Sequence, residues 1–157
     1  MKTNILKTLT LATIIAISLV ACDKNNRASK RLIKPGLWNV VELSVNGQEI
    51  TPYPVWSISD CDIYEDTCTA IWYDNSLDTE SQIYWQFNDK AETFTISRVV
   101  DTADCEDFYT EEVEQQTFRF SGEYNVIERK RKEMHFESSN TLGYPNEKVV
   151  IRLERRE

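Results

Sequence analysis

From about residue 37 onward, the apolar residues of this chain recur at every second position. Ile83, Trp85 and Phe87 alternate with Gln82, Tyr84 and Gln86, and Asn88-Asp89-Lys90 then supplies a turn. Phe94 and Ile96 alternate with Thr93, Thr95 and Ser97. Phe118 and Phe120 carry the same spacing, Ser121-Gly122 breaks it, and Tyr124 and Val126 resume it. Met134 and Phe136 follow, and Val149, Ile151 and Leu153 close the chain. Successive side chains of an extended strand point to opposite faces, so a period of two marks strands with one buried and one solvated face. Outside the first twenty residues no stretch sustains the 3.6-residue spacing of an amphipathic helix.

The spacing predicts strands at Leu37–Ser44, Val55–Ile58, Thr67–Tyr73, Gln82–Phe87, Thr93–Val99, Gln115–Phe120, Glu123–Ile127, Glu133–Glu137 and Lys148–Glu154. Mostly short connections favour antiparallel neighbours. Such a set builds a small all-β barrel or a sandwich. A membrane-spanning barrel is disfavoured, because its strands run about 9–11 residues.

The N-terminus carries a different signal. Lys2 and Lys7 precede the apolar run Thr8–Val20, an arrangement typical of an export signal and too short for a membrane-spanning helix of about 20 residues. The bulky Leu19, three residues before Cys22, argues against an ordinary secretory cleavage site. Leu19-Val20-Ala21-Cys22 instead resembles the lipobox of bacterial lipoproteins. That resemblance implies removal of residues 1–21 and diacylglyceryl, then acyl, modification of Cys22. Several chains on one residue anchor a protein durably, whereas one chain anchors it only reversibly. The expected address is the cell envelope of a bacterium, the outer membrane ahead of the inner. The expected organisation is a signal peptide at 1–21, a lipid-anchored basic tether at 22–34 and one barrel domain at 35–157.

Charge divides along the same boundary. Lys24, Arg27, Lys30, Arg31 and Lys34 outnumber the single Asp23 in the tether, whereas the whole chain has 26 acidic against 18 basic residues. Basic residues near an anionic lipid surface are attracted by about 1 kcal/mol each, and an ordinary solvated linker is the competing reading. An acidic body argues against nucleic acid, whose phosphates need neutralising cations. Arg129-Lys130-Arg131-Lys132, flanked by Glu128 and Glu133, reads as a solvated hairpin turn.

Gly36-Leu37-Trp38 at the head of the first strand resembles the Gly-x-Trp that opens lipocalin barrels. In that family the glycine permits a tight turn into the strand and the tryptophan plugs the closed end. The resemblance implies an up-and-down antiparallel barrel, with an arginine near the chain end lying across the indole. Arg152 and Arg155 both qualify, and strand parity does not choose between them. The layout of lipobox, tether, Gly-x-Trp and meander is also similar to lipocalin-like domains of bacterial lipoproteins. The chain lacks the Thr-Asp-Tyr motif between later strands and a clear C-terminal helix. An immunoglobulin-like sandwich is the alternative, on the order Cys61, Trp72, Cys105. Ala103 stands where its corner tyrosine belongs, and too many strands follow Cys105.

With Cys22 acylated, three cysteines remain for an oxidising compartment. The connections holding Cys61 and Cys105 fall at opposite ends of a meander, so Cys61–Cys68 is the candidate disulfide. A sandwich would instead pair Cys61 with Cys105. Carboxylates around Cys105 disfavour its thiolate. No zinc-ligand spacing appears, and the acidic runs Asp60–Asp66 and Asp101–Glu114 lack a calcium-loop pattern. His135, the one histidine, reads as a solvated surface residue. A nucleophile elbow and phosphate-cradling glycine loops are absent, so a non-enzymatic protein without cofactor or metal is expected. The candidate ligand-binding residues are the inward aromatics Trp38, Trp85, Phe87, Phe94, Phe118, Phe120, Tyr124 and Phe136, around a small apolar molecule. The same side chains would equally fill a narrow barrel. Besides the membrane held through Cys22, the expected partner is an envelope protein contacted through the acidic loops.

Overall fold

The structure, a computed structural model, describes residues 27–59, 68–74, 76, 78–98 and 112–157. A helix, α1, covers 27–33. It is followed by β1 (Leu37–Val45), the two-residue β2 (Gln48–Glu49), β3 (Val55–Ile58), β4 (Cys68–Asp74), β5 (Thr79–Phe87) and β6 (Thr93–Arg98). A second helix, α2 (Glu112–Arg119), precedes β7 (Gly122–Arg129), β8 (Glu133–Asn140) and β9 (Pro145–Arg155). β2 is a spur on the end of β1. The other eight strands pair antiparallel with their sequence neighbours, and β9 returns to β1 to close the sheet. The protein is therefore all-β, an eight-stranded up-and-down closed barrel compatible with the lipocalin-like expectation. Closure through Trp38↔Arg155 to Val45↔Val149 excludes the two open sheets of the immunoglobulin-like alternative.

Alternation places one face of each strand inside. In β5, Ser81, Ile83, Trp85 and Phe87 are buried while Glu80, Gln82 and Gln86 face solvent. Polar outside and apolar inside is the reverse of a lipid-embedded barrel. The expected alternation across Leu37–Ser44 slips at a bulge between Val40 and Glu42. The extra residue lets Val40 and Leu43 both enter the core and leaves Val41 exposed.

Because the strands run up and down, the connections divide between two rims. The start of β1, the β7–β8 turn and the end of β9 share one rim, hereafter the α1 rim. The β1–β2 turn, the β8–β9 turn and α2 belong to the other, the α2 rim.

Two expectations fail at these rims. Residues 27–33, read as part of a tether, are helical. Ala28 and Leu32, one helical turn apart, are buried in the barrel core. Four basic residues within eight positions hid this short apolar stripe. Pro35 follows, and Gly36, at a φ of 76°, turns the chain into β1 with its N–H on the Ile33 carbonyl at 2.9 Å. The expected strand Gln115–Phe120 is instead the helix α2 and its exit. Glu112 and Glu114 sit in its first turn and Arg119 in its last, each favourable toward the helix dipole. Val113, Thr117 and Phe120 recur at helical spacing and are buried, so the Phe118/Phe120 alternation is a local coincidence of two residues.

Candidate functional site

Seven of the eight candidate aromatics meet inside the barrel. Trp38, Trp85, Phe87, Phe94, Phe120, Tyr124 and Phe136 all belong to one buried cluster. Phe118 does not join it: it is buried on α2, outside the cluster, because the segment is helical. Sequence reasoning left out two further members, Trp56 and Trp72, which are register partners on β3 and β4 with ring centroids 5.3 Å apart. Their alternation with Ile58 and with Cys68 and Ala70 was a usable signal.

These rings lie against one another. Phe94 stacks on Phe136 at 4.4 Å and lies 4.8 Å from Phe87. Trp72 stacks on Phe120 at 5.9 Å, and Phe120 in turn meets Tyr144 at 5.3 Å. Aromatic pairs at such separations contribute about 0.5–1.5 kcal/mol each beyond area burial. Two of the polar tips are satisfied, whereas Trp56 Nε1 is buried with no hydrogen-bond partner. Trp85 Nε1 donates to Thr69 O at 3.2 Å, and the Tyr124 hydroxyl donates to Phe120 O at 2.5 Å. Burial, with a smaller effect of Tyr144, pushes the Tyr124 phenol well above its ordinary value and keeps it neutral.

At the α2 rim the interior is stoppered. Trp72 Nε1 donates to Gln116 Oε1 at 2.9 Å, and the buried hydroxyls of Ser81 and Thr117 meet at 3.0 Å. Thr117 gives its proton to Glu114 O at 2.9 Å, which leaves Ser81 as the donor between the two hydroxyls. Glu114 forms an ion pair with the inward Arg98 of β6. The last residues of the acidic run Asp101–Glu114 thus begin a helix and hold it to the barrel.

At the α1 rim Trp38 is fully buried and donates Nε1 to Leu32 O at 2.8 Å. Arg155 is its register partner on β9, on the inner face, while Arg152 points outward and pairs with Glu42 at 3.0 Å. Arg155 is therefore the arginine on the same face of the sheet as the indole.

Cys68 heads β4, is 7 % exposed and is disulfide-bonded. Its partner falls outside the described residues, as do Cys22, Cys61, Cys105 and the acidic run Asp60–Asp66. His135 faces outward yet its side chain is only 12 % exposed, with Nε2 3.2 Å from Glu137 Oε1. The expected solvated histidine is thus a largely covered one, sheltered beside a carboxylate on its own strand. Among the described residues no three His, Cys, Asp or Glu side chains converge to hold a metal.

Comparison with protein-family models, with curated proteins and with solved structures finds no match to this chain.

Proposed function

We propose that this chain is a bacterial envelope lipoprotein, anchored through Cys22, whose lipocalin-like barrel serves as a non-enzymatic scaffold for contacts with an envelope partner. The observation that supports this reading is the mutual packing of the inward aromatics among the described residues. Pockets that enclose small molecules have volumes of about 300–1,000 Å³. Here Phe87, Phe94 and Phe136 pack on one another with centroids 4.4 to 6.4 Å apart, in interior space that an apolar ligand would otherwise use. Both rims carry a docked helix, which further favours a solid body. The lipobox resemblance supports the anchor, and the acidic composition of the body supports a salt-sensitive protein contact through Asp60–Asp66 and the first part of Asp101–Glu114. The pairing Cys61–Cys68 belongs to the same reading.

An apolar ligand within the barrel is the reading to be separated from this one. The full chain, extracted in a neutral detergent, is examined by native mass spectrometry and by tryptophan emission against a panel of fatty acids and lysolipids. No co-purifying phosphate-free lipophile and no emission change with fatty acids are expected. A stoichiometric phosphate-free lipophile, or a saturable emission shift with fatty acids, would overturn the scaffold.

A further inference from the structure

The three basic segments that lie far apart in sequence converge on one recess at the α1 rim. Lys30, Arg31 and Lys34 of α1 and its exit, Arg131 of the β7–β8 turn and Arg155 of β9 line it together with Pro35. Its volume is about 300 Å³. Arg31 Nη1 donates to Arg129 O at 2.8 Å, which fixes α1 against the β7–β8 turn. Neighbouring cations are neutralised: Lys130 pairs with Glu128 and Glu133, and Lys132 with Glu157. The lining cations lack such ion pairs, although the Glu157 carboxylate, held below its ordinary pKa chiefly by its hydrogen bond from Lys132, also feels the nearby Arg155. Among the described residues no carboxylate forms an ion pair with Lys30, Arg31, Lys34, Arg131 or Arg155.

Arg155 adds a second, independent observation. Its Nε is shielded from solvent and has no hydrogen-bond partner. A buried donor without an acceptor costs free energy that a bound anion would recover. The β9 backbone around it is fixed, since Arg155 N–H donates to Lys132 O at 2.9 Å and Arg156 N–H to Leu37 O at 3.1 Å. A guanidinium held by a strand and ringed by lysines matches the geometry of a phosphate, which accepts two parallel hydrogen bonds from the arginine fork.

We propose that this recess is a binding site for a phosphoryl anion, with Arg155 as the fork and Lys30, Lys34 and Arg131 as surrounding charge. The position of the recess favours a lipid headgroup as the source. Only five residue steps separate Cys22 from Arg27, and an extended chain covers at most about 3.6 Å per step, or roughly 18 Å. With Cys22 lipidated, the start of α1 stays within that reach of the anchor, which keeps the recess near the headgroups. This lipid arm rests on the anchored reading proposed above; the phosphoryl site itself does not.

The test uses the full chain in a neutral detergent, with inorganic phosphate and short-chain phosphatidylglycerol as separate probes and the Arg155 Nε–H resonance as readout. A saturable shift of that resonance is expected with phosphatidylglycerol. Arg155→Gln, and independently the exposed Arg131→Gln, should weaken binding about tenfold or more, as removal of a charge-assisted contact does. Lys148→Gln, distant on β9 and paired with Glu137, should leave it unchanged. Saturable binding of inorganic phosphate with the same dependence on Arg155 and Arg131 would assign the site to a free phosphoryl anion. Persistence of either result in Cys22→Ser would show that the recess stands even if the anchor fails. Absence of both shifts, or equal weakening by Lys148→Gln, would overturn the proposal.

Discussion

Trp38 Nε1 donates to the Leu32 carbonyl at 2.8 Å, with both residues fully buried. That one bond joins the Gly-x-Trp strand to a helix that the sequence presents as a charged linker. It satisfies an indole N–H inside the core and, at the same time, a carbonyl in the last turn of α1, where intrahelical donors run out. The ordered body therefore includes 27–33, and the spacer between Cys22 and the barrel is shorter than composition suggests.

Leu32→Ala tests this docking. Truncating a fully buried leucine typically costs about 2–5 kcal/mol, and a loss of that size is expected in urea unfolding of the full chain. Lys30→Gln, exposed on the same helix, should change stability by less than about 0.5 kcal/mol. A nearly neutral Leu32→Ala would mean that α1 contributes nothing to the core.

The α2 stopper depends on a small buried polar network. Thr117→Val preserves shape but removes the hydroxyl that meets Ser81 and Glu114 O. A buried hydroxyl left without its partner costs about 1–3 kcal/mol. Ser81→Ala in the same background should restore part of that loss, and independent, additive effects would show that the two hydroxyls do not interact.

Gly143 holds the β8–β9 turn against the end of α2. A Cβ there would stand 2.5 Å from Arg119 Cβ and 2.7 Å from its Cα, so backbone must move. Gly143→Ala is expected to lower stability by about 1–3 kcal/mol, the range for overpacking. Unchanged thermal unfolding would remove this contact from the account of the α2 rim.

Tyr124 gives a pH dependence with a defined sign. Its phenol is raised well above the ordinary value, chiefly by burial, so the folded chain keeps a proton that an unfolded tyrosine loses near about pH 10. The contribution is fully present below that pH and is lost as pH rises above it. Tyr124→Phe should flatten the alkaline decline while costing about 1 kcal/mol at neutral pH for the hydrogen bond to Phe120 O. An identical alkaline profile in the variant would refute the assignment.

Non-reducing peptide mapping addresses Cys68. Ile58 at the end of β3 and Cys68 at the head of β4 both lie at the α1 rim, and Cys61 stands between them in sequence, whereas Cys105 stands between β6 and α2. A Cys61–Cys68 peptide is expected, and reduction should cost about 2–5 kcal/mol, as for a native disulfide in a small domain. Recovery of Cys68 joined to Cys105 would reject the pairing.

The barrel strands were legible because alternation is local: each strand declares its own buried face whatever it pairs with. Val55–Ile58 appears with the bounds read from sequence, and β7, β8 and β9 simply extend beyond theirs. Much of the aromatic cluster followed from the same parity, but Phe118 does not join it, Phe120 enters from the exit of α2, and Trp56 and Trp72 were left out. The helices were not legible, since a helix of seven or eight residues has little stability of its own and forms by docking. Ala28 and Leu32 look like a lapse in a basic stretch until Trp38 offers an indole to the Leu32 carbonyl.

By itself, then, the sequence determined the all-β class and most of the inward residues, both carried by short-range patterns. Only the tertiary structure decided that β9 closes on β1, that Arg155 rather than Arg152 shares a sheet face with Trp38, and that α1 and α2 cap opposite rims. It also decided that Lys30, Lys34, Arg131 and Arg155 surround one recess. Those relationships join residues up to about 125 positions apart, and their energy comes from burial and pairing that exist only once the sheet has closed.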